Sequence, residues 1–130
     1  MIVLDASAAV ELLLNTGAGK RIAARVETGD NIHSPHLVDI EITQTLRRLA
    51  ARSEIPHERA VIALAHWSDL EVQRYPHLPF LDRIWALKDN FSAHDAAYVA
   101  LAEILQVPLI TADQRLADAP GTTAQIEWIA

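Results

Sequence analysis

The sequence predicts an α/β fold, a three-layer α/β/α sandwich whose central, mostly parallel sheet carries helices on both faces. Three observations lead there. Short apolar runs at residues 1–4 and 108–111 are too brief for helices and read as buried strands. Such runs alternate with helical stretches along the chain, the order that parallel pairing requires. The stretch 93–106 is apolar on nearly every side, as a helix inside a fold must be.

In order, residues 1–4 form the first strand, ended by Asp5. Residues 6–14 are helical, 15–17 interrupt them, and 18–26 form a second helix. Residues 28–30 are a turn, and 31–33 a short strand before Ser34 and Pro35. Residues 37–52 form a helix with Val38, Ile42, Thr45, Leu46 and Leu49 on one face. Pro56 suits the first turn of the next helix, which ends near residue 70. Residues 71–75 read as a strand, and a helix around 80–87 follows Pro76 and Pro79. In 93–106 only Asp95 and Glu103 interrupt the apolar surface of Tyr98, Val99, Leu101, Ile104 and Leu105. A strand at 108–111, a short helix at 114–119 and a strand at 125–129 complete the chain.

A length of 130 residues suits one domain. No apolar run approaches the ~18 residues of a membrane span. The opening MIVLDASAAV has no basic leader and reads as a strand, not a signal peptide. There is no cysteine, hence no disulfide and no thiolate metal site, which agrees with a cytoplasmic place. The net charge of -6 runs against the basic footprint of most nucleic-acid binders. Bound cations would neutralise part of it, and the basic residues are grouped: Lys20, Arg21 and Arg25, then Arg47, Arg48 and Arg52. Solvated helix faces explain those groups equally well. His33, His36, His57, His66 and His77 show no zinc-ligand spacing. Trp67, Trp85 and Trp128 are too scattered for base stacking and suit core or subunit contacts. Gly17-Ala-Gly19-Lys20 lacks the spacing and hydroxyl of a phosphate-binding loop.

The acidic residues carry the chemistry. Asp5 and Asp113 stand just past the carboxyl ends of two predicted strands, where parallel sheets bind ligands. Asp95 breaks an otherwise apolar helix. Each acid also has a structural explanation. Asp5 and Asp113 suit helix caps, Ser92 and Asp95 fit a capping box, and Glu41 lies where the helix dipole favours negative charge. Yet two like charges ~6 Å apart repel by about 3 kcal/mol at an effective dielectric near ~20. A helix terminus returns only ~0.3–1 kcal/mol. Acids that meet at one edge therefore need a cation, and oxygen ligands select a hard one. Periodicity alone does not choose between Asp39 and Glu41, which flank the apolar stripe on opposite sides.

Three segments make the choice: VLDASAAVELLL, SPHLVDIEITQTLRR and FSAHDAAYVALAEILQVPLITADQRL. In this order the chain resembles the PIN domain family, in particular the VapC toxins of bacterial toxin–antitoxin pairs, over essentially its whole length. Asp5, Glu41, Asp95 and Asp113 match the family's four acids, and Ser7 and Thr111 its hydroxyls. His94 departs from it, since similar toxins often carry tyrosine there. The resemblance implies a metal-dependent endoribonuclease. Asp5, Asp95 and Asp113 would hold Mg²⁺ (or Mn²⁺), and Glu41 would serve a second ion or orient the attacking water. Ser7 and Thr111 would support the ligands from behind, or serve as plain turn residues. Arg115 would reach a phosphate or tie down its own helix start. His94, adjacent to Asp95, is expected on another face, at the surface. The resemblance also implies a VapB-type antitoxin, a homodimer, and a hetero-oligomer of the two proteins.

Rival readings keep the fold and change the task. An RNA-processing nuclease without an antitoxin would use the same acids. A phospho-acceptor signalling domain would need a lysine near the last strands, and 111–130 has none. A non-catalytic binding module would not need all four acids.

Overall fold

The computed structural model describes residues 1–26 and 29–130. Residue 28, the start of the expected turn 28–30, lies outside them. The elements run β1 (Ile2–Leu4), α1 (Ala6–Leu13), α2 (Gly17–Val26), β2 (Ile32–Pro35), α3 (Leu37–Ala51) and α4 (His57–Asp69). They continue with β3 (Val72–Tyr75), a 3-10 turn (Leu78–Phe80), α5 (Leu81–Ala86), α6 (Ala93–Leu105), β4 (Leu109–Thr111), α7 (Gln114–Asp118) and β5 (Ile126–Trp128).

The strands form one sheet in the order β3-β2-β1-β4-β5, and every pairing is parallel. Their carboxyl ends therefore share one edge. Helices α1 to α4 pack on one another, while α6 lies against β1, β2 and β4 and against α5. The sheet sits between these two groups, as the alternation predicted. β1 and β4, its central strands, are wholly buried, which is why they read as unbroken apolar runs. On α6 the run Ala96–Ala102 is buried. Burying a side chain such as Leu101 contributes about 1.5–3 kcal/mol. Among the described residues no helix is long and apolar enough to cross a membrane.

Element ends fall within two residues of expectation. The helix expected around 80–87 is α5, and a 3-10 turn that was not expected leads into it. Pro79 at the head of the turn lacks a backbone N–H, and the tighter winding places it where no donor is needed. Pro56 stands just before α4 in an extended conformation, not inside its first turn.

Two ion pairs anchor helices to the sheet and its loops. Glu103 of α6 receives both forks of Arg83 at 2.7 and 2.9 Å, and the Thr122 hydroxyl at 2.7 Å. The Arg83 guanidinium, above all, holds its carboxyl down to about 2. Arg25 of α2 reaches Glu127 of β5 at 3.0 Å. Trp67 is buried in the core, whereas Trp85 and Trp128 are exposed.

Candidate active site

The site is built where β1 and β4 end side by side. Leu4 pairs with Ile110, so the next residue of each strand, Asp5 and Thr111, emerges at the same edge. Asp5 caps α1 by accepting from the Ala8 N–H at 2.8 Å. The same oxygen accepts from the Ser7 hydroxyl at 2.7 Å, and the other from the Thr111 hydroxyl. Ser7 Oγ in turn accepts from the Ala112 N–H, and Thr111 Oγ1 from the Asp113 N–H, both at 3.0 Å. Ser7 and Thr111 thus lock the Asp5 carboxylate to the loop that carries Asp113. Asp5 is only 5 % exposed. Burial pushes its pKa up to about 6, against the three hydrogen bonds, and the Asp95 charge pushes it further the same way.

Asp95 lies in the first turn of α6. Its N–H donates to the Ser92 hydroxyl at 3.1 Å, so half of the expected capping box forms. Its carboxyl is raised by burial first; Ser92 offsets part of this, and Asp113 adds repulsion. Asp5, Asp95 and Asp113 are therefore coupled as like charges in sequence. Asp113 caps α7 through the Arg115 N–H at 3.0 Å, and its second oxygen meets the Arg115 guanidinium at 3.3 Å. Arg115 is otherwise bathed in solvent, its side chain 91 % exposed.

The structure separates Asp39 from Glu41. Asp39 accepts from Trp67 Nε1 at 2.7 Å and from Arg74 at 2.8 and 2.9 Å, tying α3 to α4 and β3. Its desolvation would raise it, but Arg74 and Trp67 outweigh burial and leave it below the usual carboxylate range. Glu41 turns the other way and accepts from the Tyr98 hydroxyl at 2.6 Å. Tyr98 is buried, and desolvation together with Glu41 holds its proton firmly in place.

Asp5, Glu41, Asp95 and Asp113 line one cleft of about 540 Å³. Ser7 lines it too; Thr111 stands behind Asp5, wholly buried. His94, expected away from the site, is exposed yet also borders the cleft, because the opening is wide enough to take in two neighbouring positions of α6. Sequence reasoning passed over Tyr98, Gln44, Thr45 and Arg48 as cleft residues. The helical spacing of 41, 44, 45 and 48 on one face was a signal that could have found the last three.

Among the described residues no three acidic or histidine side chains already stand close enough to share one ion. The donor chemistry nonetheless fits a hard divalent cation. The candidate ligands are all carboxylate oxygens, Asp5 is desolvated, and the neighbouring charges of Asp95 and Asp113 raise the proton affinity of Asp5 and Asp95 in turn. A cation would relieve that repulsion.

The family model for the PIN domain matches residues 2–121. The chain is 44 % identical to Ribonuclease VapC12 of Mycobacterium tuberculosis, over the full length of both. It is 48 % identical to Ribonuclease VapC9 of the same organism, over 91 % of this chain and 90 % of that protein. Among solved structures it superposes on a chain of VapBC2 from Rickettsia felis, a complex bound to a DNA fragment from its promoter, with a TM-score of 0.69 at 12 % identity and full coverage of both. Mycobacterium tuberculosis VapC20, a Sarcin-Ricin loop cleaving toxin, gives a TM-score of 0.65 at 16 % identity over 90 % of this chain and 93 % of that one. The two structural likenesses bear on the fold alone.

Proposed function

The chain belongs to the PIN domain family, among the VapC ribonucleases, and on that premise we propose that it is the toxin of a VapBC toxin–antitoxin pair, a metal-dependent endoribonuclease that hydrolyses RNA phosphodiester bonds. One observation carries the reading beyond its relatives' names. A buried, desolvated carboxylate, Asp5, ends the central strand and faces a cleft shared with three more acids.

Asp5, Asp95 and Asp113 hold Mg²⁺ in this reading, with Mn²⁺ as the alternative ion, and Glu41 completes the set or serves a second ion. The bound ion supplies Lewis acidity toward water and the scissile phosphate. The protein's own groups do the rest. Ser7 and Thr111 keep the Asp5 oxygens fixed. Tyr98 occupies Glu41 Oε1, which leaves Oε2 to accept a hydrogen bond from the attacking water and orient it. Arg115 sits at the rim beside Asp113, placed for a phosphate as well as for its own helix start. Residues 1–130 act as one PIN domain in the cytoplasm. The partner is a VapB-type antitoxin whose basic segment covers the acidic cleft, a match of charge that also answers the net charge of -6. The exposed Leu78, Leu81 and Trp85 supply apolar area for a homodimer contact, within a larger toxin–antitoxin hetero-oligomer.

The test is the purified chain, stripped of antitoxin, incubated with total RNA with and without Mg²⁺ or Mn²⁺. Discrete cleavage is expected, stopped by EDTA. Asp95→Asn is expected to lower the rate by about a thousandfold or more, the loss of roughly 4 kcal/mol of transition-state stabilisation. Cleavage that ignores EDTA, or an Asp95→Asn chain at full activity, would sink the mechanism.

A second prediction separates the two acids of α3. Glu41→Gln is expected to slow cleavage by about a hundredfold or more and leave the melting temperature unchanged. Asp39→Asn does the reverse: cleavage persists, while stability falls by about 1 kcal/mol, a modest figure because the Asp39–Arg74 pair is partly exposed. Rates and thermal melts of the two variants side by side check both halves.

A further inference from the structure

Most arginines of this chain are occupied. Arg21 and Arg59 donate to backbone carbonyls, and Arg25, Arg74, Arg83 and Arg115 pair with carboxylates. Arg47, Arg48 and Arg52 enter no ion pair among the described residues. Of these three, only Arg48 lines the acidic cleft; among the described residues the other arginine near the acids is Arg115, already paired with Asp113. It stands seven residues beyond Glu41 on the same face of α3, with Gln44 and Thr45 between them on the cleft wall. That spacing puts it ~10 Å along the helix axis from Glu41. A group bound by Arg48 at that remove lies further along a strand that crosses the site than the one reacting beside the four acids. Ile40, 73 % exposed, borders the same opening one turn before Gln44 and offers an apolar surface for a sugar or base.

We propose that this face of α3 is the track for single-stranded RNA, and that Arg48 binds a backbone phosphate next to the scissile one. The inference rests on the ribonuclease reading above and deepens it. A cleft walled by four carboxylates repels a polyanion. A metal ion at the acids would offset part of that repulsion at the scissile phosphate only, and Arg48 supplies positive charge for the strand beyond it. Its guanidinium grips phosphate oxygens as a fork, while Gln44 and Thr45 offer neutral hydrogen-bonding groups between the two charged zones.

Arg47 provides a matched control. It is the adjacent residue, likewise exposed, but borders a different groove between α3 and α4. Arg47→Ala and Arg48→Ala change net charge identically. Arg48→Ala is expected to lower kcat/KM about tenfold, mostly through KM, and Arg48→Lys to recover part of the loss. A labelled single-stranded RNA titrated into Asp95→Asn protein, across a range of salt concentrations, reads binding without turnover. There the slope of log affinity against log salt is expected to fall by about 0.7 in Arg48→Ala, the mark of one lost phosphate contact, and to stay unchanged in Arg48→Lys and Arg47→Ala. An Arg48→Ala chain with the KM and salt slope of Arg47→Ala would overturn the inference and leave the nuclease reading standing. A wild-type chain that neither binds nor cleaves RNA would overturn both.

Discussion

Asp5→Asn is expected to melt at a higher temperature than the wild type at neutral pH while losing RNA cleavage. The folded state binds the Asp5 proton more tightly than the unfolded state, because burial raises its pKa from 3.8 to about 6. Stability is then highest when the carboxyl is protonated. It declines as pH rises through the window from about 4 to about 6, and above that the buried charge costs roughly 3 kcal/mol. Asparagine carries no charge at any pH. Its amide oxygen can keep the bonds from Ser7 and Ala8, it caps a helix as well as aspartate, and the Thr111 hydroxyl can turn to accept from its amide nitrogen. The gain at neutral pH should exceed about 5 °C in Tm and vanish near pH 4. Added Mg²⁺ or Mn²⁺ should narrow it by stabilising only the wild type. Thermal melts at both pH values, with and without the ion, check this. An Asp5→Asn chain less stable than the wild type throughout would mean that the bonds made by the carboxylate outweigh the cost of its buried charge.

That trade between stability and chemistry explains what was legible in the sequence. The central strands were plain because burial on both faces leaves an unbroken apolar run, and Asp5 was plain because it ends one. The capping explanations for Asp5, Asp113 and Ser92 hold in the structure, and so does the shared cleft. A carboxylate has two oxygens with several lone pairs, so the same side chain can cap a helix and still face a ligand. The choice of Glu41 over Asp39 was illegible from periodicity because both flank the apolar stripe. What separates them is long-range: Trp67 and Arg74 claim Asp39, and Tyr98 claims Glu41. Tyr98 itself read as core, which it is; its hydroxyl meets Glu41 only through the approach of α6 to α3. Arg48 was visible only as a member of a basic group, since local spacing cannot tell which arginine of that group the fold turns to the cleft.

Gly19 makes the same point through packing, and Gly19→Ala is expected to destabilise the fold by about 3 kcal/mol. A Cβ there would stand 1.9 Å from the Glu11 carbonyl oxygen and 2.6 Å from its carbon. Both atoms are backbone of α1, so relief requires α1 and α2 to move apart. The Gly19 N–H is also pinned, donating to the Thr16 hydroxyl at 2.9 Å at the start of α2. The neighbouring Gly17→Ala meets only the flexible end of Arg21, at 3.7 Å, and is expected to be neutral or to stabilise by up to about 1 kcal/mol through helix propensity. Urea melts of the two variants check the contrast. The consequence reaches the site, because α1 begins at Asp5 and carries Ser7, and a displaced α1 loosens the hydroxyl contacts that fix the Asp5 carboxylate. Gly19→Ala should therefore lose cleavage even under conditions where it remains folded, and Gly17→Ala should not. Equal losses of stability in both variants would show that the two glycines are set by their local helix alone, and that no close approach of α1 to α2 holds the first acid in place.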